Sequence, residues 1–574
     1  MKCTVSELLL HYLKEAGTEY IFGVPGLTLE PFLISCNKSG TITPILAKHE
    51  EGAAFMADGY ARVKGTIGAC FATSGPGATN LVSGVATSYA DEVPVVAITG
   101  QIPTFTNRRG TIQDSTAKGI DSVELFRPIT KNSSCIISSH SAQYDIEQAL
   151  SIALTGRKGP VHLSIPKDIQ MTEIELPAMP SRYVPPSTEF FDRRLVIDAA
   201  RELVNADNPV ILAGAGAVHS GAMADILELA TMLNIPVATT PHAKGAIPED
   251  HPLSLGVLGW AGSPAAEGYV KSGTVDVLLV IGSSLNQMTT LSWDPRLAPT
   301  RCLIHVNIDP TIIGVNYPTQ IPLVGDALTI TNEIAFRVLR DLEKVQEKVD
   351  ARERTIADAK ARLGTVFEPE KMLSDDMPLK PQRLMADLQA CLPENAIVFA
   401  DVGNNLLWAQ HYLRLKHPDS FFAPFGILTM GYSTAAAIGA KLAAPDRPVI
   451  ANVGDGDFFM NGMEVATAVN YNIPVVWIVH NNGRLGLIHN LQSYTLGEET
   501  ILTRFRQADF AGLARAFGAE GFTVTKPGEL REVLPKALAT GRPAVIDCII
   551  DPKELPPMAD FVKGAREYAM RALL

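Results

Sequence analysis

The chain predicts an α/β protein of three consecutive parallel-sheet units, at 1–176, 190–345 and 382–555, with a tail at 556–574. Three observations carry this. Short apolar strand patterns alternate with helical ones through each stretch, as in parallel sheets whose crossovers are helices. Proline-containing stretches at 177–186 and 372–381 read as linkers between the units. The length, 574 residues, is enough for roughly three domains.

The first unit opens with MKCTVSELLLHYLKEAG, where Glu7 and His11 interrupt apolar residues at helical spacing. That is an amphipathic helix and not a signal peptide. Strands are expected at 20–24, 42–47, 67–73 and 93–99. Between the second and third of them, His49-Glu50-Glu51-Gly52 opens a helix running through Tyr60 and Arg62. Glu50 reads either as a helix-start acid favoured by the macrodipole or as a functional carboxylate. The residue alone leaves both readings open.

In the second unit the strand at 209–213 runs into Gly214-Ala215-Gly216. This imitates a dinucleotide fingerprint, but His219 stands where the third glycine belongs, so it reads as a Rossmann-like turn without a demonstrated ligand. Buried strands are expected at 276–282 and 302–309. The charge-rich stretch 340–363 reads as a solvated helix.

The third unit holds the most informative stretch. A strand pattern at 447–453 ends in Gly454-Asp455-Gly456. A helical pattern follows, with Met460, Met463, Val465, Ala466 and Val469 expected on its apolar face. A second strand at 474–479 leads to Asn481-Asn482. A carboxylate and an amide thus sit at the C-terminal ends of neighbouring strands, where open parallel sheets bind ligands. Such oxygens suit Mg²⁺, which keeps part of its shell for phosphate oxygens. A bare GDG is an ordinary turn, and it is the strand–helix–strand context that favours the metal reading.

Composition excludes other classes. Hydrophobic residues make up 46% and charged ones 19%, as in a large globular protein with sizeable cores. The net charge is −12 with no long basic run, so nucleic-acid binding has no electrostatic footprint. Seven scattered cysteines without a CxxC pair read as thiols in a reducing compartment, hence a cytoplasmic protein. No apolar run reaches the ~18 residues that would span a membrane.

GDG followed at this distance by Asn481-Asn482, with KHEEGAAFMADGYAR around Glu50 and SGPGATN at 74–80, resembles thiamine-diphosphate enzymes of the acetolactate synthase, pyruvate oxidase and 2-oxo acid decarboxylase superfamily. The resemblance covers nearly the whole chain. It implies a pyrimidine-binding, a central Rossmann-like and a diphosphate-binding domain in that order. It also implies a homodimer or homotetramer in which the glutamate and the metal site of one active centre come from different subunits.

The resemblance assigns residues as well. Glu50 is the acid that hydrogen-bonds the aminopyrimidine ring. The metal ligands are Asp455, Asn482 and the backbone carbonyl of Arg484. Gly403, Asn404 and Asn405 hold the diphosphate. The carbonyl of Leu428 accepts from the 4′-amino group, and Met430 wedges the cofactor into its bent form. Gly456, Asp457 and Leu487 are further cofactor contacts. Gly26, Leu27, Thr28, Ile112 and Gln113, with Leu487, are expected around a mainly apolar substrate pocket.

The activity implied is Mg²⁺- and thiamine-diphosphate-dependent decarboxylation of a 2-oxo acid such as pyruvate, with ligation of the acyl unit to an acceptor. Gly100-Gln101-Ile102-Pro103 and Gly110-Thr111-Ile112-Gln113-Asp114 resemble the synthases. The chain departs from the biosynthetic synthase pattern at Leu27-Thr28, at 282–286 and at Leu491, which replaces a specificity tryptophan. The absence of a His-His pair separates it from the pyruvate decarboxylase type. Asn482-Gly483-Arg484-Leu485-Gly486-Leu487 resembles the pyruvate oxidases, so FAD in the central domain is an alternative. A simple decarboxylase and a non-catalytic subunit that kept the fold are the others.

Overall fold

The computed structural model describes residues 2–175, 190–340, 346–496 and 501–557. The linker expected at 177–186 and nearly all of the expected tail lie outside the described residues. Three six-stranded sheets, each all-parallel, account for the alternation. In spatial order the first runs Thr43–Leu46, Tyr20–Val24, Gly68–Ala72, Val95–Gln101, Val161–Pro166 and Asn132–Cys135. The third runs Phe421–Phe422, Ile397–Ala400, Val449–Gly454, Val475–Asn481, Ala544–Ile549 and Glu520–Val524. Their central strands are buried along their whole length, which explains why they read as continuous apolar runs and do not alternate.

Numbered by appearance within each domain, both outer sheets have the order 2-1-3-4-6-5, whereas the middle sheet has 3-2-1-4-5-6. The middle order is that of a doubly wound dinucleotide-type sheet. Its strands Pro209–Ala213 and Val277–Ile281 flank the point where the order reverses.

The outer domains meet through equivalent helices, each following the second strand of its sheet: Glu50–Lys64 and Tyr432–Ala443. They cross at glycines. A Cβ on Gly59 would overlap the Ala436 carbonyl, and one on Gly439 would overlap the Met56 carbonyl. Beside the crossing the Tyr432 hydroxyl donates to Asp58 at 2.5 Å, and Arg62 bridges Asp58 and Asp91 at 2.6 and 2.7 Å.

Two expectations need correction. The helical pattern after Gly456 is broken into Asp455–Asn461, a 3₁₀ turn Gly462–Glu464 and Val465–Tyr471. Met460 and Met463 are exposed, because the buried stripe is Phe458, Asn461, Val465 and Ala468. A buried asparagine in that stripe hides its period. The helix Gln346–Leu363 is also more than a solvated element. Val349 and Ile356 join the central core, and buried Arg352 donates to the carbonyls of Leu233, Leu203 and Ala206.

The central domain is pinned to the third by a fully buried ion pair. Lys244 donates to both oxygens of Glu249 at 2.9 Å and to the Leu413 carbonyl at 2.8 Å. Glu249 accepts in turn from the Leu415 N–H at 2.8 Å. Removing one partner of such a pair strands a charge away from water. Lys244→Ala is therefore expected to destabilise the protein by about 3–5 kcal/mol, and the double variant Lys244→Met with Glu249→Leu by much less. Denaturant unfolding of the two variants measures the contrast.

Candidate active site

The site lies at the C-terminal edge of the third sheet. Asp455 is the first residue of its helix, directly after the strand Val449–Gly454, and is 2% exposed. Its carboxylate accepts from the N–H groups of Gly456 at 2.8 Å, Asn482 at 2.9 Å and Gly483 at 2.6 Å. The turn after the neighbouring strand thus wraps the carboxylate and fixes its direction. Burial pushes its pKa up to about 6 despite those donors, so a cation beside it would relieve a desolvated charge. The Asn482 side-chain oxygen accepts from the Arg484 N–H at 3.1 Å, which holds 482–484 in a tight turn.

Other expected residues converge here. The Cβ position of Gly486 lies 2.7 Å from the Asn404 amide nitrogen and 3.3 Å from that of Asn482. The Cβ position of Gly456 lies 3.3 Å from the Met430 methyl. Gly403 has φ +121°, which opens the helix Asn404–Tyr412 without a side chain in the way. Leu428 has φ +53°, a left-handed conformation that is costly for leucine and typical of strained functional loops.

The loop around Leu428 and Met430 is anchored from both sides. Thr429 and Thr87 share a hydroxyl hydrogen bond at 2.8 Å. The Asp401 carboxylate accepts from Gly431 N–H at 3.1 Å and Ser433 N–H at 2.9 Å. Sequence reading names Gly403, Asn404 and Asn405 of this segment and gives Asp401 no role. Its role depends on residues about thirty positions away, which no local pattern encodes.

Two expected cofactor contacts also make hydrogen bonds within the protein. The Asn405 amide donates to the carbonyls of Asp401 and Asn452, and Asp457 caps its own helix by accepting from the Gly454 N–H at 2.9 Å. Burial and the nearby Asp401 charge hold the Asp457 carboxyl well above the usual range. The Asn404 side-chain oxygen and the Asp457 Oδ1 are both buried with no hydrogen-bond partner.

Glu50 begins the helix that crosses Tyr432–Ala443 and is 8% exposed. The Asn80 amide donates to one carboxylate oxygen at 2.9 Å, and the Cβ position of Gly77 lies 3.2 Å from the other. Asn80, whose aiming role the motif alone does not reveal, leaves the second oxygen facing a glycine. Glu51 accepts from Asn461 at 3.2 Å.

The residues expected around the substrate pocket lie in different settings. The Thr28 hydroxyl is buried, sharing a bond with Thr73 at 3.0 Å and accepting from Ser74 N–H at 3.0 Å. Gly26 backs onto Thr73, and Gln113 covers Gly75. Leu27 and Ile112 are exposed, at 54% and 75%. Leu487 packs elsewhere, with Leu491 against Ala261 and Leu407.

A diphosphate bridged by a divalent cation fits what is present: a desolvated carboxylate, an amide oxygen beside it, an unpartnered buried amide oxygen, and glycines where side chains would intrude. Among the described residues no three His, Cys, Asp or Glu side chains cluster as a metal cage, so an ion here would draw its remaining ligands from backbone, water or phosphate. Such a site, on paired sheets of one topology, defines a diphosphate-cofactor enzyme.

The chain belongs to the thiamine pyrophosphate enzyme family. Residues 3–124 match its N-terminal TPP binding domain, 196–334 its central domain and 401–548 its C-terminal TPP binding domain. The chain is 39% identical to the probable acetolactate synthase large subunit of Methanocaldococcus jannaschii, over 96% of this chain and 93% of that protein. It is 37% identical to the protein of the same description from Methanococcus aeolicus, over 98% and 96%. Identity to the acetolactate synthase large subunit of Corynebacterium glutamicum is 33%, over 96% and 87%.

Burial pushes the Asp401 carboxyl up to about 7. A carboxyl whose folded pKa lies above its exposed one stabilises the fold fully only below the exposed value, so this contribution fades as pH rises from about 4 through about 7. In cofactor-free protein, the unfolding free energy of the wild type minus that of Asp401→Asn is expected to fall across that window. A pH-independent difference in denaturant titrations would contradict the assignment.

Proposed function

We propose that the protein decarboxylates pyruvate and joins the two-carbon unit to a second 2-oxo acid, giving acetolactate-type products, with thiamine diphosphate and Mg²⁺. The observation that carries the reading is the pair of oxygens on Asp455 and Asn482, held at adjacent strand ends beside the unpartnered Asn404 oxygen. Similarity over nearly the whole chain to proteins described as acetolactate synthases supports the product class. The intact Glu50, Asp455 and Asn482 speak against a non-catalytic subunit.

Thiamine diphosphate, when bound, supplies the electron sink that lets a 2-oxo acid lose CO₂. The chain's own residues do the rest. Asp455, Asn482 and the Arg484 carbonyl hold Mg²⁺, and Asn404 orients the diphosphate end. Met430, in the loop anchored by Asp401 and Thr87, would lie against the bound cofactor, and the Leu428 carbonyl would accept from its amino group. Glu50, aimed by Asn80, holds a proton at the pyrimidine ring nitrogen. Position and exclusion of water are the protein's main contributions. Glu50→Gln and Asp455→Ala are each expected to abolish turnover, the second also weakening cofactor retention. Nuclear magnetic resonance of products from pyruvate, cofactor and Mg²⁺ under nitrogen reads the reaction directly; acetaldehyde or acetate in place of acetolactate would redirect it to a decarboxylase or an oxidase.

The working unit in this reading is at least a homodimer, with Glu50 serving the metal site of the other chain. Exposed Leu27, Ile112, Phe459, Met460 and Met463 would then be covered. Mixing inactive Glu50→Gln and Asp455→Ala proteins should restore about a quarter of wild-type activity by random pairing of subunits. No recovery after subunit exchange would sink the shared site.

FAD is the second cofactor we propose. A cavity of about 520 Å³ opens between the three domains at the switch point of the middle sheet, lined by Arg157, Lys158, Gly216, Ser283, Asn307 and Asp326. The purified protein should show a flavin spectrum, and a colourless protein releasing no flavin on denaturation removes this part. Seven free cysteines suit a cytoplasmic setting, and no described helix is long and apolar enough to cross a membrane.

A further inference from the structure

Glu464 lies in the 3₁₀ turn nine residues after Asp455 and is 1% exposed. Nothing in its sequence setting marks it as more than part of a helix. Its carboxylate accepts from the Lys48 N–H with both oxygens, at 3.0 and 3.1 Å, and from the His49 N–H at 3.0 Å. The Thr467 hydroxyl donates to it at 2.6 Å. Lys48 and His49 are the two residues before Glu50, and His49 caps the helix that Glu50 begins. The helix's first turn also presses on the same carboxylate, since a Cβ on Gly52 would lie 2.5 Å from its Oε1.

A buried acid of the third domain therefore grips the strand-to-helix joint of the first. The Tyr471 hydroxyl extends the grip by accepting from the Leu46 N–H at 2.9 Å. Several charge-assisted bonds converging on one carboxylate leave it few orientations. Any rotation of Glu464 carries the backbone of 48–49, and with it the start of the Glu50 helix.

We propose that Glu464 is a positioning residue for Glu50: it fixes where the Glu50 carboxylate stands against the pyrimidine ring, without itself touching cofactor or substrate. The proposal rests on the reading of Glu50 given above. Because catalytic geometry tolerates little, an ångström of displacement at Glu50 corresponds to a loss on the order of 100-fold in the step it promotes.

The test separates positioning from general support. Deuterium exchange at the thiazolium C2 of bound thiamine diphosphate, with Mg²⁺ and no substrate, is followed after acid quench by nuclear magnetic resonance. It reports on the proton held by Glu50 and does not require turnover. Cofactor affinity is measured in parallel by tryptophan fluorescence. Glu464→Gln should slow exchange by about tenfold or more while the cofactor Kd stays within about threefold of wild type. Gly52→Ala, which crowds the carboxylate without changing its chemistry, should do the same and decides the matter if the glutamine variant does not fold. Wild-type exchange in both, alongside slow exchange in Glu50→Gln, overturns the proposal and leaves the Glu50 reading standing. A fall in cofactor affinity matching the fall in exchange also overturns it, by making Glu464 a general structural residue. Fast exchange in Glu50→Gln itself removes the Glu50 reading and this proposal with it.

Discussion

The crossing of the helices Glu50–Lys64 and Tyr432–Ala443 is the contact on which the site depends. Two glycines bring backbone against backbone there, and apolar packing continues into Phe55 on the Tyr432 ring, 5.3 Å between centroids. The Asp58, Arg62, Asp91 and Tyr432 network lies at the edge of this contact, where water is excluded and charge pairs are strong. One helix begins with Glu50. The other begins directly after Met430 and Gly431. The distance between helix axes thus sets two functional positions that belong to different domains.

Both outer domains use the strand order 2-1-3-4-6-5 and place a helix after their second strand, yet the two loops carry different chemistry. The first delivers a carboxylate that accepts from Asn80, after backbone at Lys48 and His49 that donates to Glu464. The second delivers a strained leucine carbonyl and a methionine held by Asp401 and Thr87. Buried acids recur beneath them. Asp401 and Asp457 share a dry region, and burial holds both carboxyls above the usual range.

Much of this was legible in the sequence, because parallel strands buried on both faces leave continuous apolar runs and the turns at Gly454 and Asn481 punctuate them. Asp455, Asn482, Asn404 and Met430 were legible because a short motif places them within a few residues of a strand end. Asn405 and Asp457 carry the same residue types near the same strand ends, and only the structure shows which backbone groups they also bond. Asp401 and Glu464 act across 30 and 415 residues of chain, a separation no periodicity reports. At Leu27 and Ile112 the sequence shows apolar character and the structure shows exposure, which no periodicity reports.

The glycine crossing also limits how this sequence can drift. Neither Gly59 nor Gly439 can acquire a side chain unless the facing backbone withdraws, and withdrawal would shift Glu50 and Met430 together. A single change at either position is thus felt in both halves of the site at once. Exposed Met460 and Met463 lie only a few residues from Asp455, yet within one chain they carry no such linkage.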